Sequence, residues 1–293
     1  MSTSFIKGPL QMIGSSLFFA FMAYYAKLAS DKIPGVEIVF IRFAFGVVVL
    51  CILAALGVVN IRANHKGLLI MRGTFGGIAV LLYFLALAGG SLTNSTILNN
   101  TYPLFATVIA FFALQERISA STLWSLLIAW IGVALLIHPD LKHLYWPDLL
   151  GLLSGILSGV AVTLVRQLRV KNESASNVFF YLSLFGCLFS LLLAIPVWVW
   201  PDFHHWLLLL LTGLLALVAQ SMMTASYKYC STAIGGVLSM TTMVFTAVLG
   251  ILVLGDALTF MESIGAILIA VGSVAVVWIS DKKDRPSGFS KSD

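Results

Sequence analysis

Charge is scarce in this chain. Only 10% of its 293 residues are Asp, Glu, Lys or Arg, while 60% are hydrophobic. A soluble domain carries about 25% charged and 45–50% apolar residues, so this chain cannot cover its own surface in water. Cysteine is almost missing: Cys51, Cys187 and Cys230 form an odd set without spacing, which excludes a disulfide framework or a cysteine metal site. A glycine-rich phosphate loop with its lysine is absent, and with it an ATP site. The histidines, His65, His138, His143, His204 and His205, are scattered through loops. The adjacent pair has no third ligand nearby, so no metal is expected. No Ser/His/Asp grouping supports nucleophilic catalysis. The net charge of +5 is spread out rather than gathered into a stripe, which excludes a nucleic-acid surface.

What is present is length and apolarity in the right units. The mean hydropathy is +1.02, and ten apolar stretches fall near 9–29, 36–57, 67–89, 92–114, 121–138, 147–168, 176–199, 206–228, 231–254 and 261–279. At roughly 20 residues per span, ten spans leave about 90 residues for every loop and tail, too few for a soluble domain. The predicted class is an all-α integral membrane protein of ten transmembrane helices. The first span follows a short basic region but ends in no small-residue cleavage site, so it is expected to be retained. The weakest boundaries are Gly89-Gly90-Ser91 and Cys230-Ser231. The segment 281–293 is expected to be a disordered tail.

Lysine and arginine fix the orientation. Lys7, Arg62, Lys66, Arg117, Arg169, Lys171, Lys282 and Lys283 share the side of the N-terminus. The opposite loops hold Lys32 and Lys142, with Lys27 and Arg42 inside nearby span ends. Both termini are therefore expected in the cytoplasm. Tyr145, Trp146, Trp198, Trp200 and Trp206 form an outer aromatic belt, while Trp124 and Trp278 sit at inner span ends.

The chain also repeats itself at an offset of 140 residues without a gap. Phe45, Gly46, Gly73, Leu98, Thr101 and Gly132 fall on Phe185, Gly186, Gly213, Leu238, Thr241 and Gly272, and the acidic turn at Glu116 falls on Asp256. Each half holds five spans. Five is odd, so the halves, 8–138 and 147–280, enter the membrane from opposite sides. An inverted repeat of this kind favours transport by alternating access.

Several motifs carry a family likeness. They are Ile41-Arg42-Phe43, Tyr83-Phe84-Leu85-Ala86-Leu87, Tyr102-Pro103-Leu104-Phe105, Leu114-Gln115-Glu116-Arg117-Ile118 and Ile131-Gly132-Val133, echoed by Leu254-Gly255-Asp256-Ala257-Leu258 and Val271-Gly272-Ser273. Together, over residues 8–280, they resemble the drug/metabolite transporter superfamily, in its ten-span branch with two EamA-type domains that includes bacterial amino acid and metabolite exporters. Met243 stands where the first half has Pro103, so the halves are not equivalent. The resemblance implies a central cavity lined by both halves, a small organic solute, and a multi-pass position in the bacterial inner membrane.

Polar residues inside spans are costly and mark candidate sites. Ser95, Asn99, Tyr102 and Ala106 share a helical face in the fourth span; Gly235, Ser239, Thr242 and Thr246 correspond on the ninth. Asn99, Tyr102, Ser239 and Thr242 are the leading substrate-binding candidates, with Asn100 on the adjacent face. Pro103 breaks the helix by clashing with the carbonyl of Asn99, which would turn carbonyls of that turn to the cavity. Tyr83 in the third span and Gln220 and Tyr227 in the eighth could each present a polar tip. The alternative for all of them is hydrogen bonding between packed helices. Lys27 and Arg42 are candidates for gating or for attracting a carboxylate, unless they snorkel outward or Lys27 pairs with Glu37. Arg72, Arg166 and Lys228 are expected to snorkel to the inner face. Glu116 is expected to brace the following helix start, beside the N-caps Ser119 and Ser121.

Glu37, Glu116, Asp256 and Glu262 all lie at span ends, leaving no mid-membrane acid to exchange protons for a cationic drug. The expected function is secondary transport of a small neutral or zwitterionic metabolite, an amino acid and among these an aromatic one, in the direction of export. An uptake carrier or exchanger for S-adenosylmethionine or a nucleotide-like solute is the alternative. No enzyme activity, cofactor or metal is expected. The partners are the solute and the lipid bilayer; a monomer is expected, with coupling to a proton or counter-solute left open.

Overall fold

The computed structural model describes residues 3–89, 92–137, 146–254 and 259–284, with side chains omitted at some helix ends. His138, Lys142, His143, Tyr145, Asp256 and the junction 90–91 lie outside the described residues. Ten segments are long and apolar enough to cross a membrane. Eight are single helices: α1 (Thr3–Ala29), α2 (Gly35–Ala55), α3 (Lys66–Gly89), α6 (Ala120–Ile137), α7 (Trp146–Val170), α8 (Ala175–Ala194), α9 (Phe203–Ser226) and α12 (Phe260–Asp284). The fourth span is two helices, α4 (Leu92–Asn99) and α5 (Tyr102–Ala113), and the ninth is likewise α10 (Thr232–Ser239) and α11 (Thr241–Leu249), closed by a π turn at Gly250–Leu254. Helix α12 runs on to Asp284, so residues 281–284 are helical where a disordered tail was expected; 285–293 lie outside the described residues.

Lipid tails are as apolar as leucine, so helices in a membrane associate through close packing rather than hydrophobic exclusion. Small residues do this here. Gly151, Gly155 and Gly159 line one face of α7, and the broken fourth span lies on that face. A Cβ on Gly155 would stand 2.6 Å from the Leu98 carbonyl, and one on Gly159 would stand 2.8 Å from Phe105 Cβ. The bare backbone of α7 thus seats both α4 and α5, with the break between them.

Other close approaches come in reciprocal pairs. A Cβ on Gly132 would meet the Gly265 carbonyl at 2.6 Å, and one on Gly272 would meet the Ser125 carbonyl at 2.8 Å. Positions 125 and 265, like 132 and 272, are 140 apart. Gly73 lies against Phe185 and Gly213 against Phe45; Gly46 lies against Ser183 and Gly186 against Phe43, with the same offset throughout. The helix pairs follow suit: α1 packs on α9 as α3 packs on α7, and α6 on α12 and α2 on α8 pair each helix with its own counterpart.

Most of the tryptophans expected at span ends are exposed there, but Trp198 packs inward on Phe40 with its Nε1 buried. Trp146, Trp200, Trp124 and Trp278 are exposed at span ends, as expected of rings with an apolar body and a polar edge.

Candidate functional site

The two broken spans meet at their breaks. Proline has no backbone N–H and its ring clashes with the carbonyl four residues back, here that of Asn99, and Pro103 stands second in α5. In the turn ahead of it, Thr101 Oγ1 donates to the Leu98 carbonyl at 2.5 Å. The ninth span has no proline, yet breaks at the matching place, where Thr241 Oγ1 donates to the Leu238 carbonyl at 2.6 Å. Threonine hydroxyls compete for helix carbonyls in this way. Pro103 then packs on the bare backbone of Gly236, where a Cβ would come within 2.9 Å. Beside that contact Tyr102 OH and Ser239 Oγ are 2.5 Å apart. Ser239 spends its own proton on the Gly236 carbonyl, 2.7 Å away, so Tyr102 is the donor.

The break also divides the polar face expected on the fourth span, and this corrects the reading of one continuous stripe. Asn99 turns away from Tyr102 and donates to Ser154 Oγ of α7 at 2.6 Å, which in turn donates to the Ala79 carbonyl of α3 at 2.7 Å. The Asn99 carbonyl lies against Gly155, so it does not face a cavity as the proline argument had it. Asn100 folds back on the Thr96 carbonyl at 2.8 Å, and Tyr83 OH meets Thr96 Oγ1 at 3.0 Å. Thr242 is half-buried beyond the second break, whereas Thr246 is exposed. Gln220 lines a cavity of about 10 Å³ with Phe19, Arg42, Phe43, Phe179 and Ala216, and its Nε2 is buried without a partner. That volume holds about one water. A larger cavity of about 310 Å³ between α5 and α6 is lined by Val108, Phe111, Phe112 and Leu123, which are all exposed on the lipid-facing side.

Four readings of the charged residues need correction. Lys27 does not pair with Glu37: it is exposed in the last turn of α1, where a cation suits the helix dipole. Glu37 is instead fully buried and accepts the Val199 backbone N–H at 2.9 Å, holding the segment before α9. Arg72 does not snorkel; it is 4% exposed. Glu116 braces the other half of the chain rather than its own next helix. Its Oε2 accepts the Thr232 N–H at the start of α10 (2.9 Å), and its Oε1 accepts Arg166 Nε (2.8 Å). Arg166 also donates to the Tyr227 carbonyl at 2.7 Å, so it too is tied into protein. Ser119 does cap α6, accepting the Thr122 N–H at 3.2 Å. Arg42 lies 4.5 Å from the Phe43 ring centroid and 3.5 Å from Met22 Sδ.

Two carboxylates outside the spans hold loops across the halves. Burial raises the Glu173 carboxyl, but hydrogen bonds from Asn177, His65 and Asn64 outweigh it and keep the group below its ordinary range. Asp202 is also held low, chiefly by the backbone N–H and ring of His205 and by Lys32. Histidines 65 and 205 are counterparts at the offset of 140, and each meets a carboxylate of the opposite half, Glu173 at 3.3 Å and Asp31 at 3.0 Å.

One asymmetry stands out. On the side of the N-terminus, α10 packs on α5 and α6, with the Glu116–Arg166 network across the seam. On the opposite side, α4 makes no comparable packing on α11 or α12 among the described residues.

A ten-span membrane bundle with a polar junction of two broken spans is the architecture of a transporter. Comparison with known proteins gives the family. The model of the EamA-like transporter family matches residues 6–138 and again 145–278, and the chain belongs to that family. It is a multi-pass inner-membrane protein and a transporter rather than an enzyme. Among similar proteins is the pseudopaline exporter CntI of Pseudomonas aeruginosa, 29% identical over 92% of this chain and 95% of the exporter. A riboflavin transporter of Vibrio cholerae is 28% identical over 76% of each chain, and an S-adenosylmethionine uptake transporter of Rickettsia prowazekii is 25% identical over 64% of each. A solved crystal structure, 18% identical, shares the fold with a TM-score of 0.80 over 97% of this chain and 99% of that one. The sequence left Ser154 and Thr96 aside and sent Arg72 to the wrong place. For Arg72 the available signal was Gly76, one helical turn deeper, which leaves room for a long side chain to point inward.

Proposed function

We propose that the chain is a secondary transporter that moves an amino acid or related zwitterion outward by alternating access. The Tyr102–Ser239 bond carries this reading. It joins the two halves where both broken spans interrupt, and broken spans near mid-membrane are where transporters expose polar backbone to solute. Asn99, Asn100, Tyr83 and Thr242 on the broken spans and the third helix form the wider polar set, with Gln220 beside Arg42 in a small cavity and Lys27 at the end of α1.

The reciprocal glycine contacts support halves 8–138 and 147–280 related by a two-fold axis, since only such an axis makes one residue's contact return as its counterpart's. Five spans per half put that axis in the membrane plane. The lysine and arginine bias supports cytoplasmic termini. With that orientation, the packing of α10 on α5 and α6 is a closed inner side, and the unmatched α4 and α11 an outer side that is not closed. The other state would exchange the two arrangements. One chain supplies both halves, which suits a monomer.

Export follows the similarity to the pseudopaline exporter. Uptake or exchange of S-adenosylmethionine or a nucleotide-like solute is the second reading, favoured by the likeness to the Rickettsia transporter. Purified protein in liposomes, offered a labelled metabolite panel with and without a proton gradient, separates them. Gradient-stimulated movement of amino acids is expected. Exchange of a nucleotide with no movement of any amino acid would overturn the first reading.

A further inference from the structure

Cations inside a membrane bundle have few resting places, and most of those here have found one. Lys27 reaches the surface, Arg166 meets Glu116, and Arg42 lies on a ring face and near a sulfur. Arg72 has none of these. It is 4% exposed, its Nε has no partner, and among the described residues no carboxylate or carbonyl accepts from its guanidinium.

The direction of the side chain matters. Long side chains on a helix lean toward the helix N-terminus, which on α3 would carry Arg72 to the nearer surface. Instead its Nη1 fills the space that a Cβ on Gly76 would need, one turn deeper, with Leu182 beside it. The absence of a side chain at Gly76 therefore admits the charge into the bundle. Tyr227 is 0% exposed and its hydroxyl is also unpartnered; it belongs to the same packed core as Leu69, which lies one turn before Arg72 on α3. The Tyr227 ring rests on Gly235 of α10, one turn before the break of the ninth span.

A buried guanidinium with no acceptor and a buried phenol with none, both with protons to donate, are costly to keep in a membrane protein. The group that would satisfy them is a two-oxygen anion, bidentate on the guanidinium and accepting from the phenol. We propose that Arg72, with Tyr227, is the carboxylate anchor of the transported solute. This rests on the amino-acid reading above and deepens it: solutes are selected by their carboxylate.

The test compares labelled amino acids with the matching amino acid amides, in liposomes carrying the wild type, R72M, R72K or Y227F. The wild type is expected to prefer acid over amide, and R72M to lose that preference, with acid uptake falling more than about tenfold while amide uptake holds. R72K and Y227F should raise KM for the acid and leave the amide unaffected. A purely structural role would lower both solutes together and keep their ratio. An unchanged acid-to-amide ratio in R72M overturns the anchor while leaving amino-acid transport standing. If R72M does not fold, the same ratio in R72K and Y227F decides in the same way. Wild-type protein that moves no amino acid but exchanges a carboxylate-free nucleotide overturns both readings.

Discussion

Tyr102 and Ser239 lie 137 residues apart and share a hydrogen bond of 2.5 Å at the point where their two spans break. Neither break would create the contact alone. Pro103 sets the first, threonine hydroxyls mark both, and Gly236 lets the two backbones approach.

That bond predicts an uneven pair of substitutions. Ser239→Ala leaves the Tyr102 hydroxyl without its acceptor, whereas Tyr102→Phe leaves Ser239 its bond to Gly236. Ser239→Ala should therefore cost more, with a coupling of about 1 kcal/mol between the sites. A double-mutant cycle on thermal unfolding in detergent measures it; additive effects would show that the bond contributes nothing. Both variants should also slow transport in liposomes.

The glycine pair on α6 and α12 predicts a sharp contrast. Gly132→Ala puts a methyl against the Gly265 carbonyl and the Ile269 backbone N–H, which cannot yield as a side-chain tip would. A loss of about 1–3 kcal/mol is expected, read as a lower melting temperature. Gly67→Ala, with nothing within 4 Å, is the control and should be neutral or slightly stabilising.

Glu173 predicts a pH dependence whose sign follows from its lowered carboxyl. Stability from that carboxylate is complete above the ordinary value of 4.5 and fades as pH falls through the lower folded value. Glu173→Gln should lose about 2–3 kcal/mol at neutral pH, since the side chain is fully buried. It should also flatten the acid limb of the stability curve. Unfolding measured from pH 7 down to pH 2 tests both; an acid limb identical in the variant and the wild type would refute the assignment.

Cys230 offers a built-in report on the Glu116 network. Its thiol is buried and pushed up to about 12 by that burial, against a smaller downward pull from Arg166. It should react poorly with maleimide in this state, because the thiolate is the nucleophile. Glu116→Gln removes the charge and leaves one neutral oxygen where two accept, from Arg166 and from the Thr232 N–H, and so weakens the seam between α10 and its neighbours. In a background lacking Cys51 and Cys187, labelling at pH 8 should rise at least about tenfold. No rise would mean that Glu116 does not hold this side closed.

Much of this was written in local sequence. Span positions follow from apolar runs, which need no knowledge of neighbours, and the break at Pro103 follows from a single residue's geometry. The break at Met240 left no such mark, because threonine and glycine break a helix only when the facing helix accepts it. Glu116 looked like a local cap because capping is a short-range habit. In the folded chain its carboxylate finds the N–H of Thr232 in the other half. Asn99 seemed to continue the face of Tyr102 until the break rotated one away from the other.

Sequence alone determined that the chain lives in a membrane, how many times it crosses, and that its halves repeat, since hydropathy and periodicity are properties of the strand of residues itself. Tertiary structure decided which polar groups are satisfied and which wait for something else. Arg72 makes the difference plain. Seven residues into α3 it could have reached the surface, but the missing side chain at Gly76 and the packing of α8 turn it inward. A side chain's direction depends on what surrounds it, and only the folded bundle supplies those surroundings.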